Sequence, residues 1–365
     1  MTKTKKILIA TGGTGGHVFP AYRLVNNFTK HNYEVKLTFD NRGFKYLKNY
    51  RHLNLIKIPT SPLLKKNILK FLLSLIIISF STLKSLIFLI FDRPSIVFGM
   101  GGYSSFPICI AAAILRIKFV IYENNLIIGK ANKYLLPLAK KIFVSYKDLE
   151  GVPKKYNSKI IEIGNIVREE IINLKLEGTT NEKFDTIKIL VLGGSQGAKV
   201  FADKLPHIFK RFKNFEIPIK IYQQCQKNQN YQLSEFYKRA EIDHEIFNFT
   251  DDIISYYNKV NLVITRSGAS VLGELANVKI PFISIPLPTS ADNHQLKNAL
   301  YYKKKGFGYL IDEKDINDQL YELIKSIFKD KSLIKNILVN QSQYSDKKIF
   351  KHINTYIEEI INEKN

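Results

Sequence analysis

The sequence predicts an α/β protein of two doubly wound domains, each a parallel sheet covered by helices. Three observations predict it. Short apolar, β-branched runs alternate with longer amphipathic stretches along the whole chain, as parallel strands alternate with crossover helices. Each half opens with such a run followed at once by a glycine-rich loop. The 365 residues also exceed the size at which one hydrophobic core usually stops growing.

The apolar runs define the predicted strands. In the first half they are KILIAT, EVKLTF, SIVFGM, KFVIYE, KIFVSY and KIIEIG. In the second half they are IKILVLGG, IPIKIYQQ, NLVITRS, IPFISIP and GYLI. We expect the change of domain near Gly164, with the polar stretch 177–186 as a surface loop just beyond it.

Composition excludes little on its own. Lys and Arg number 55 against 32 Asp and Glu, a formal charge of +23. Nucleic acid, an anionic membrane or a phosphorylated substrate would suit that charge, but a general bias toward Lys, Ile, Asn, Tyr and Phe would also explain it.

The two cysteines, Cys109 and Cys225, lack metal-ligand spacing, which predicts a disulfide-free protein of a reducing compartment. We expect no signal peptide, because the N-terminus runs straight into the first strand.

One segment, residues 63–91, is unusually apolar. Its longest uncharged run has 13 residues, about 20 Å of helix, which is too short to span a bilayer core. On a helical wheel, lysines and serines form one narrow polar stripe and nearly everything else is Leu, Ile or Phe. The wide apolar face could pack on the sheet, and the lysines nearby also suit partial insertion into an anionic membrane.

Glycine loops mark the predicted sites. TGGTGGH at residues 11–17 lacks the P-loop ending and the dinucleotide spacing. Its four glycines can adopt positive φ and expose amides, and a helix expected to begin near 19–20 directs its positive end at the same point. A tight turn needs only one or two glycines, so a bound anion is favoured. A similar loop at 97–107 is expected to expose Tyr103 and Ser104.

The second half repeats the arrangement. In LGGSQGAKV, residues 192–200, Ser195 and Gln196 add hydrogen-bonding groups to the glycine loop, so a phosphate or diphosphate is expected there. In VITRSGASVLGELA, residues 263–276, a strand and turn lead into a helix whose second turn carries Glu274. A carboxylate there can accept from both hydroxyls of a ribose, although a solvated helix glutamate is the ordinary alternative.

Eight motifs in order resemble the MurG family of N-acetylglucosaminyltransferases. They are GGTGGHVFPA, GMGGYSSFP, YENN with GKANKYL, GNIVR, LGGSQGA, FTDDI, TRSGASVLGELA and ADNHQLKNA. The resemblance extends over nearly the whole chain. It implies the GT-B fold, two Rossmann-like domains with an interdomain cleft, no metal or other cofactor, and inversion at the anomeric carbon. It also implies a domain of residues 1–163 plus 344–365 for the acceptor and the membrane, and a domain of residues 164–343 for the donor.

The family transfers GlcNAc from UDP-GlcNAc to the muramoyl sugar of undecaprenyl-diphosphate-linked MurNAc-pentapeptide, lipid I, giving lipid II in peptidoglycan synthesis. The resemblance therefore implies a peripheral protein at the cytoplasmic face of the bacterial inner membrane. Its expected partners are both substrates, an anionic membrane surface through residues 63–91, and other cell-wall synthesis proteins, but no nucleic acid.

Carried over position by position, the resemblance assigns the site. For the donor it implies Ser195 and Gln196 at the phosphates, Arg168 and Thr250 at the uracil, Glu274 at the ribose, and His294, Gln295 and Asn298 at the sugar, with Thr14, Gly15, Gly16 and Asn125 also in contact. For the acceptor it implies Gly13, Thr14, Gly15, Gly16, Tyr103, Asn125 and Asn132. Two positions depart from the family pattern, Asn124 for glutamine and Ile166 for proline.

Two residues compete for the role of catalytic base, His17 and Glu123. The ordinary pKa of histidine, about 6.5, suits proton transfer near neutrality. The acidic pair Asp251-Asp252 lies at a predicted helix start, where capping is a sufficient explanation. The alternatives are an epimerase acting on the same donor, a non-catalytic membrane or nucleic-acid binding protein and, least favoured, a dehydrogenase.

Overall fold

The computed structural model describes residues 4–47, 53–62, 67–174, 185–194, 199–213, 215–250 and 252–363. Contacts between backbones divide the chain into two compact units. The first is Met1–Arg168 with Asp346–Asn365, and the second is Glu169–Ser345. Residues 164–168, which the sequence analysis placed in the second domain, thus fall in the first unit.

Each unit is built on one parallel sheet. The strands of the first unit are β1 Lys6–Ala10, β2 Glu34–Phe39, β3 Leu55–Lys57, β4 Ile96–Gly99, β5 Phe119–Glu123, β6 Lys141–Val144 and β7 Ile160–Glu162. Those of the second are β8 Ile187–Leu192, β9 Ile219–Gln224, β10 Asp243–Phe247, β11 Leu262–Thr265, β12 Phe282–Ser284 and β13 Tyr309–Leu310.

The two sheets share one strand order, 3-2-1-4-5-6, in their common part. In the first unit it reads β3-β2-β1-β4-β5-β6-β7, and in the second β10-β9-β8-β11-β12-β13. The pairs with an assigned register are parallel, for example Ile7 with Val35 and Ile189 with Ile221. This order is that of the Rossmann fold, so the predicted pair of doubly wound α/β domains is confirmed.

Helices connect the strands. In the first unit they are α1 Gly15–Lys30, α2 Phe44–Leu47, α3 Ile68–Phe91, α4 Gly102–Ile114 and α5 Lys130–Leu135, with α14 Ile349–Asn362 returning from the end of the chain. In the second unit they are α6 Glu169–Asn173, α7 Lys199–Lys213, α8 Asn230–Arg239, α9 Ile253–Tyr257, α10 Ala269–Val278, α11 His294–Lys304, α12 Ile316–Lys329 and α13 Ser332–Ser342.

The cores follow from the strand sequences. Ile7, Leu8, Ile9 and Ala10 of β1 are all buried, as expected for a central parallel strand covered on both faces. The predicted strands are present, but β3 and β10 were not predicted. Both lie at sheet edges. β3 has only three residues, and β10 has three polar residues followed by two apolar ones, most of them half-buried. The sequence pattern that would predict these two strands is therefore weak.

Helix α3 has its polarity reversed relative to an ordinary surface helix. Its buried residues are Ser74, Ser81, Ser85 and Leu89. Each serine Oγ donates to the carbonyl four residues earlier, at 2.7–2.8 Å. Outside the helix, Ser74 Oγ also lies 3.2 Å from Ser61 Oγ, and Ser81 Oγ contacts the carbonyl of Pro59. The helix packs against α4. Leu89 is buried, and Leu86 and Phe88 pack against the same core, so the expectation that part of the apolar surface is buried is confirmed for the end of the helix.

Most of the apolar side chains of α3 point away from the unit. At least 38% of each is exposed for Ile68, Leu69, Leu72, Leu73, Leu75, Ile76, Ile77, Phe80, Leu83, Ile87, Ile90 and Phe91. We refer to these twelve residues as the apolar face. The helix has 24 residues, and its most apolar 18-residue window has a mean hydropathy of 2.2. Within the described ranges it is the one helix that could cross a membrane, by length and composition alone. The shorter uncharged run had predicted a segment too short to span.

Candidate active site

The strand order of the first unit places three loops at one edge of its sheet. β1 lies between β2 and β4, so the crossovers that follow β1 and β4 leave in opposite directions. The loops after these two strands meet at this switch point, which is where open α/β sheets bind ligands. The loop after β5 follows on the next strand along. These loops carry the residues predicted for the acceptor.

The first glycine loop is tighter than predicted. Gly12 and Gly13 have φ values of 152° and 79°, which favour glycine. Gly15 and Gly16 do not share this conformation, because α1 already begins at Gly15. Gly15 is required for space, since a Cβ there would lie 2.8 Å from the ring of Phe19. The helix therefore begins four residues before the predicted start.

A proline inside α1 explains one contact of this loop. Pro20 has no N–H, so the carbonyl of Gly16 receives no helical hydrogen bond from it. Asn124 Nδ2 donates to this carbonyl at 3.3 Å instead. The shorter side chain at the position where the family has glutamine thus supports the start of α1 from the loop after β5.

His17 lies in the first turn of α1 and reaches the loop after β4. Its Nδ1 is 2.9 Å from the carbonyl oxygen of Met100. A carbonyl only accepts, so Nδ1 carries the proton in this contact, and Nε2 is the basic nitrogen of the neutral ring. The ring lies beside Gly102, where a Cβ would be 3.7 Å from Nε2. Gly101 and Gly102 have φ values of 83° and 70°, so this approach requires glycines.

Glu123 ends β5 and is 3% exposed. Its Oε1 accepts from the amide and the side chain of Asn125 at 3.1 and 3.0 Å. Its Oε2 accepts from the Gly129 amide at 2.8 Å and from Asn132 Nδ2 at 3.0 Å. A carboxylate with four donors fixes the loop between β5 and α5, so Glu123 orders Asn125 and Asn132 in this structure.

The remaining predicted acceptor residues differ in exposure. Tyr103, in the first turn of α4, is 37% exposed, whereas Ser104 is 5% exposed. The expectation that both are exposed is therefore wrong for Ser104, which faces Gly12 from inside the unit. Asn132 is also buried, at 1%. Its Nδ2 donates to the carbonyl of Tyr122 at 2.9 Å as well as to Glu123, which is a supporting position.

Sequence reasoning missed Asp40, which follows β2 at the same edge of the sheet. It is 1% exposed, and its Oδ1 accepts from the amides of Gly13 and Gly43, both at 2.8 Å. Burial by itself would raise the pKa of this carboxyl, but these amides and Arg42 together hold the pKa below its ordinary value. The available signal was an aspartate directly after a buried strand, one strand away from the glycine loop.

In the second unit, β8 and β11 are the neighbours at the switch point. The glycine loop after β8 contains Gly194 with a φ of 80° and open space around it. Ser195 and Gln196, predicted to contact phosphates, lie outside the described residues. Helix α7 begins just beyond them at Lys199. The described part of the loop thus ends with backbone that a ligand can approach.

Glu274 lies in the second turn of α10, as predicted, and is 8% exposed. The hydroxyl of Tyr257 donates to its Oε2 at 3.4 Å. The ordinary alternative of a solvated helix glutamate is therefore wrong. The turn before α10 is supported by Asn298, whose Nδ2 donates to the carbonyl of Ser267 at 3.2 Å. Asn298 is fully buried and supports this turn, and its contact with the sugar stays a prediction.

The other predicted sugar residues, His294 and Gln295, begin α11 directly after a strained turn. Asp292 and Asn293 both have positive φ, 51° and 55°, and strain of this kind concentrates at functional sites. Gln295 Oε1 accepts from the Leu287 amide at 2.9 Å, and His294 Nδ1 is 2.8 Å from the carbonyl oxygen of Ala291. Both side chains fix the fold of this loop.

The residues predicted at the uracil fall in different units. Arg168 is the last residue of the first unit, and Thr250 belongs to the second. Thr250 Oγ1 accepts from the Asp252 amide at 3.1 Å. Asp252 caps α9 through the Ser255 amide at 3.1 Å, as predicted, while Asp251 lies outside the described residues. Among the described residues there is no cluster of three or more His, Cys, Asp or Glu side chains that could hold a metal ion.

A second charged residue that sequence reasoning missed is Arg266, directly after β11. It is 7% exposed and forms an ion pair with Glu313. Its Nη1 donates to the carbonyls of Ile285 and Pro286 at 3.2 Å, and its guanidinium stacks on the ring of Phe201 at 4.6 Å. One side chain thus ties the ends of β11 and β12 to α7.

Comparison with known proteins defines the class. Residues 7–144 match the glycosyltransferase family 28 N-terminal domain, and residues 188–353 match the C-terminal domain of the same family. The two units are those of a glycosyltransferase.

Relatives that align over nearly the full length of the chain define a narrower class. The UDP-N-acetylglucosamine–N-acetylmuramyl-(pentapeptide) pyrophosphoryl-undecaprenol N-acetylglucosamine transferase of Pelagibacter ubique is 38% identical, over 98% of this chain and 99% of the relative. The protein of the same name from Rickettsia bellii is 35% identical, over 98% of this chain and all of the relative. The chain belongs to this family of transferases, the MurG family.

Solved structures agree on the fold. The crystal structure of Acinetobacter baumannii MurG aligns with a TM-score of 0.80 at 22% identity, over 98% of this chain and all of that one. A structure described as a putative UDP-N-acetylglucosamine 2-epimerase from Listeria monocytogenes aligns with a TM-score of 0.66 at 15% identity, over all of this chain and 98% of that one. The fold alone is therefore shared between transferases and epimerases.

Proposed function

We propose that the protein transfers N-acetylglucosamine from UDP-N-acetylglucosamine to the muramoyl sugar of undecaprenyl-diphosphate-linked MurNAc-pentapeptide, with inversion at the anomeric carbon. The full-length relationship to transferases of this name supports the substrates. The observation that carries the chemistry is the contact between His17 Nδ1 and the carbonyl of Met100. It holds the imidazole ring of His17 at the carboxyl edge of a parallel sheet, and the neutral ring would have its basic nitrogen at Nε2.

The reaction requires a base and stabilisation of a leaving group. The muramoyl hydroxyl attacks the anomeric carbon, its proton passes to His17 Nε2, and UDP departs with its negative charge. General base catalysis of this kind contributes typically 10²- to 10⁴-fold. We assign the base to His17 and a positioning role to Glu123, because all four contacts of the Glu123 carboxylate are with donors of its own loop.

The second unit would hold the donor. The buried carboxylate of Glu274 would accept from the ribose hydroxyls, with Tyr257 orienting it. The amides around Gly194 and the start of α7, together with Ser195 and Gln196, would stabilise the leaving diphosphate without any group that must reorganise. The remaining predicted contacts to the uracil and the sugar are proposed as they stand: Arg168, Thr250, His294 and Gln295.

The first unit would bind the acceptor and contact the membrane. An undecaprenyl chain remains in a bilayer, so the enzyme must reach its substrate there. The apolar face of α3 supports this docking, because twelve large apolar side chains in contact with water have no stabilising role in an aqueous protein. The excess of Lys and Arg would favour an anionic surface. We therefore propose a peripheral location at the cytoplasmic face of the bacterial inner membrane.

The test is transfer of labelled N-acetylglucosamine from UDP-N-acetylglucosamine to a short-chain lipid I analogue, with EDTA present. We expect a labelled disaccharide-lipid product that the EDTA does not suppress. Omitting the acceptor separates transfer from hydrolysis. If the donor is consumed or epimerised while the acceptor stays unlabelled, the transferase proposal is wrong and the epimerase alternative takes its place.

A further inference from the structure

The first glycine loop is held by a negative charge at the place where a negatively charged ligand is proposed to bind. Asp40 is buried, and its Oδ1 accepts from the Gly13 amide. A Cβ at Gly12 would lie 2.6 Å from the same oxygen and would overlap Ser104 Oγ. The loop is therefore closed tightly around the Asp40 carboxylate.

This arrangement has two consequences for anion binding. The Gly13 amide is already engaged with Asp40, so it cannot serve a diphosphate without breaking a 2.8 Å hydrogen bond. The carboxylate is also ionised near neutrality, because its pKa lies below the ordinary value despite burial. An uncompensated charge here would repel a diphosphate, and at short range through protein such repulsion is substantial.

Arg42 supplies the compensation. Its Nε and Nη2 contact Asp40 Oδ2 at 2.9 and 2.8 Å, and Thr60 Oγ1 donates to the same oxygen at 3.4 Å. Half of the Arg42 side chain is nevertheless exposed. Its Nη2 lies 3.5 Å from the position of a Cβ at Gly13, so the guanidinium covers the outer side of the loop. Arginine also retains donors that Asp40 does not use.

We propose that Arg42 is a diphosphate-binding residue of the first unit and that Asp40 is the positioning residue that holds it over the glycine loop. The inference rests on the proposed function, whose acceptor carries a diphosphate. Arg42 donates to the diphosphate oxygens, and Asp40 fixes both the guanidinium and Gly13. The pair is neutral overall, and it presents a guanidinium toward the outside of the loop only while Arg42 is in place.

The opposing charges of the pair make a two-residue test possible. Arg42→Ala removes the donor and leaves the Asp40 charge unpaired. Asp40→Asn alone directs an amide NH₂ at the guanidinium and displaces it. In the double variant, the carbonyl of the introduced asparagine can still accept from Gly13 and Gly43, and no negative charge remains. The double variant should therefore bind a diphosphate better than Arg42→Ala does, which simple loss of structure would not produce.

The first measurement is calorimetric binding of geranyl diphosphate with UDP at saturating concentration, so that the donor site is occupied. We expect Arg42→Ala to weaken binding by about 10- to 100-fold, as for a lost charge-assisted hydrogen bond. The affinity of Arg42→Lys should lie between those of the wild type and Arg42→Ala. The double variant Asp40→Asn/Arg42→Ala should regain part of the affinity that Arg42→Ala loses. Arg93→Ala is the matched control, because it removes the same charge near the amino edge of the sheet, just before β4.

Steady-state transfer to a short-chain lipid I analogue provides the second measurement. Arg42→Ala should raise the KM for the acceptor and leave the KM for UDP-N-acetylglucosamine unchanged. Wild-type affinity for geranyl diphosphate in Arg42→Ala, or a double variant no better than Arg42→Ala, would overturn the inference. If the wild-type protein binds geranyl diphosphate through Arg42 yet transfers no sugar, the proposed function is wrong and this anion site stands.

Discussion

The two units have very different helices in the crossover connection at the same position of the sheet. Because they share a strand order, the connection from β3 to β4 corresponds to that from β10 to β11. In the first unit it carries α3, 24 residues with serines inside and the apolar face outside. In the second it carries α9, five residues whose Tyr256 and Tyr257 are buried. The sheet fixes where a crossover lies, but the two crossovers place their apolar side chains on opposite faces, outward in α3 and inward in α9.

The ends of the strands differ in a similar way. In the first unit His17 follows β1 and Asp40 follows β2 at the carboxyl edge, and Glu123 ends β5. The corresponding edge of the second unit has Arg266, which holds loops together, and Glu274, which we propose accepts from ribose hydroxyls. In the proposed function, a common frame carries proton transfer and membrane docking in one unit and nucleotide binding in the other. Four variants test this contrast, from the largest expected effect to the smallest.

Replacement of His17 should have the largest effect. Asn at this position keeps a donor near the carbonyl of Met100 but has no basic nitrogen where Nε2 lies. We expect both His17→Asn and His17→Ala to lower turnover by about 10²- to 10⁴-fold, with UDP affinity unchanged. Single-turnover transfer and calorimetry with UDP measure the two quantities. Near-wild-type turnover in His17→Asn would show that the ring serves only as a donor, and Glu123 would again be the candidate base.

Replacement of exposed residues on the apolar face of α3 tests the contrast with α9. Ile76 and Phe80 are 64% and 60% exposed and one helical turn apart. Ile76→Ser/Phe80→Ser should weaken binding to anionic vesicles by about tenfold per residue, as expected when large apolar side chains no longer leave water. Vesicle sedimentation measures this.

The matched control for α3 is Val339→Ser on α13 of the second unit, where the side chain is 55% exposed. Its vesicle binding should equal that of the wild type. Equal losses in both variants would mean that apolar exposure alone drives binding, without a defined docking surface on α3.

Replacement of Glu274 tests the nucleotide side. Glu274→Gln keeps the shape and removes the charge, so hydrogen bonds from ribose hydroxyls become neutral. We expect the KM for UDP-N-acetylglucosamine to rise by about tenfold, while the KM for the acceptor stays unchanged. Tyr257→Phe, which removes the orienting hydroxyl, should have a smaller effect in the same direction. The affinities of each protein for UDP-N-acetylglucosamine and for its 2′-deoxyribose analogue give a ratio. If this ratio is the same in Glu274→Gln and in the wild type, Glu274 does not contact the ribose.

The sequence predicted the central strands and loops well because they are governed by local patterns. The apolar run of β1 and the glycines after it give a clear signal. The start of α1 was misplaced because Pro20 is typical of a first helical turn, and only Asn124 from another strand makes an earlier start acceptable. The orientation of α3 could not be predicted, since a stripe of serines faces water or a neighbouring helix equally well by sequence. Asp40 was missed because its importance depends on two amides brought together by the fold.

The smallest expected effect concerns stability and distinguishes Asp40 from an ordinary surface carboxylate. Its folded-state pKa is depressed, so it stabilises the fold fully above its unfolded-state pKa, and this contribution is lost as pH falls through the folded-state value. Asp40→Asn should cost about 1 kcal/mol in the free energy of unfolding at pH 7, because its carbonyl can still accept from both amides, and the deficit should shrink below about pH 4. Urea unfolding of both proteins between pH 7 and pH 3 measures it. A deficit that stays constant over this range would mean that Asp40 acts through its shape and that its charge does not hold the loop.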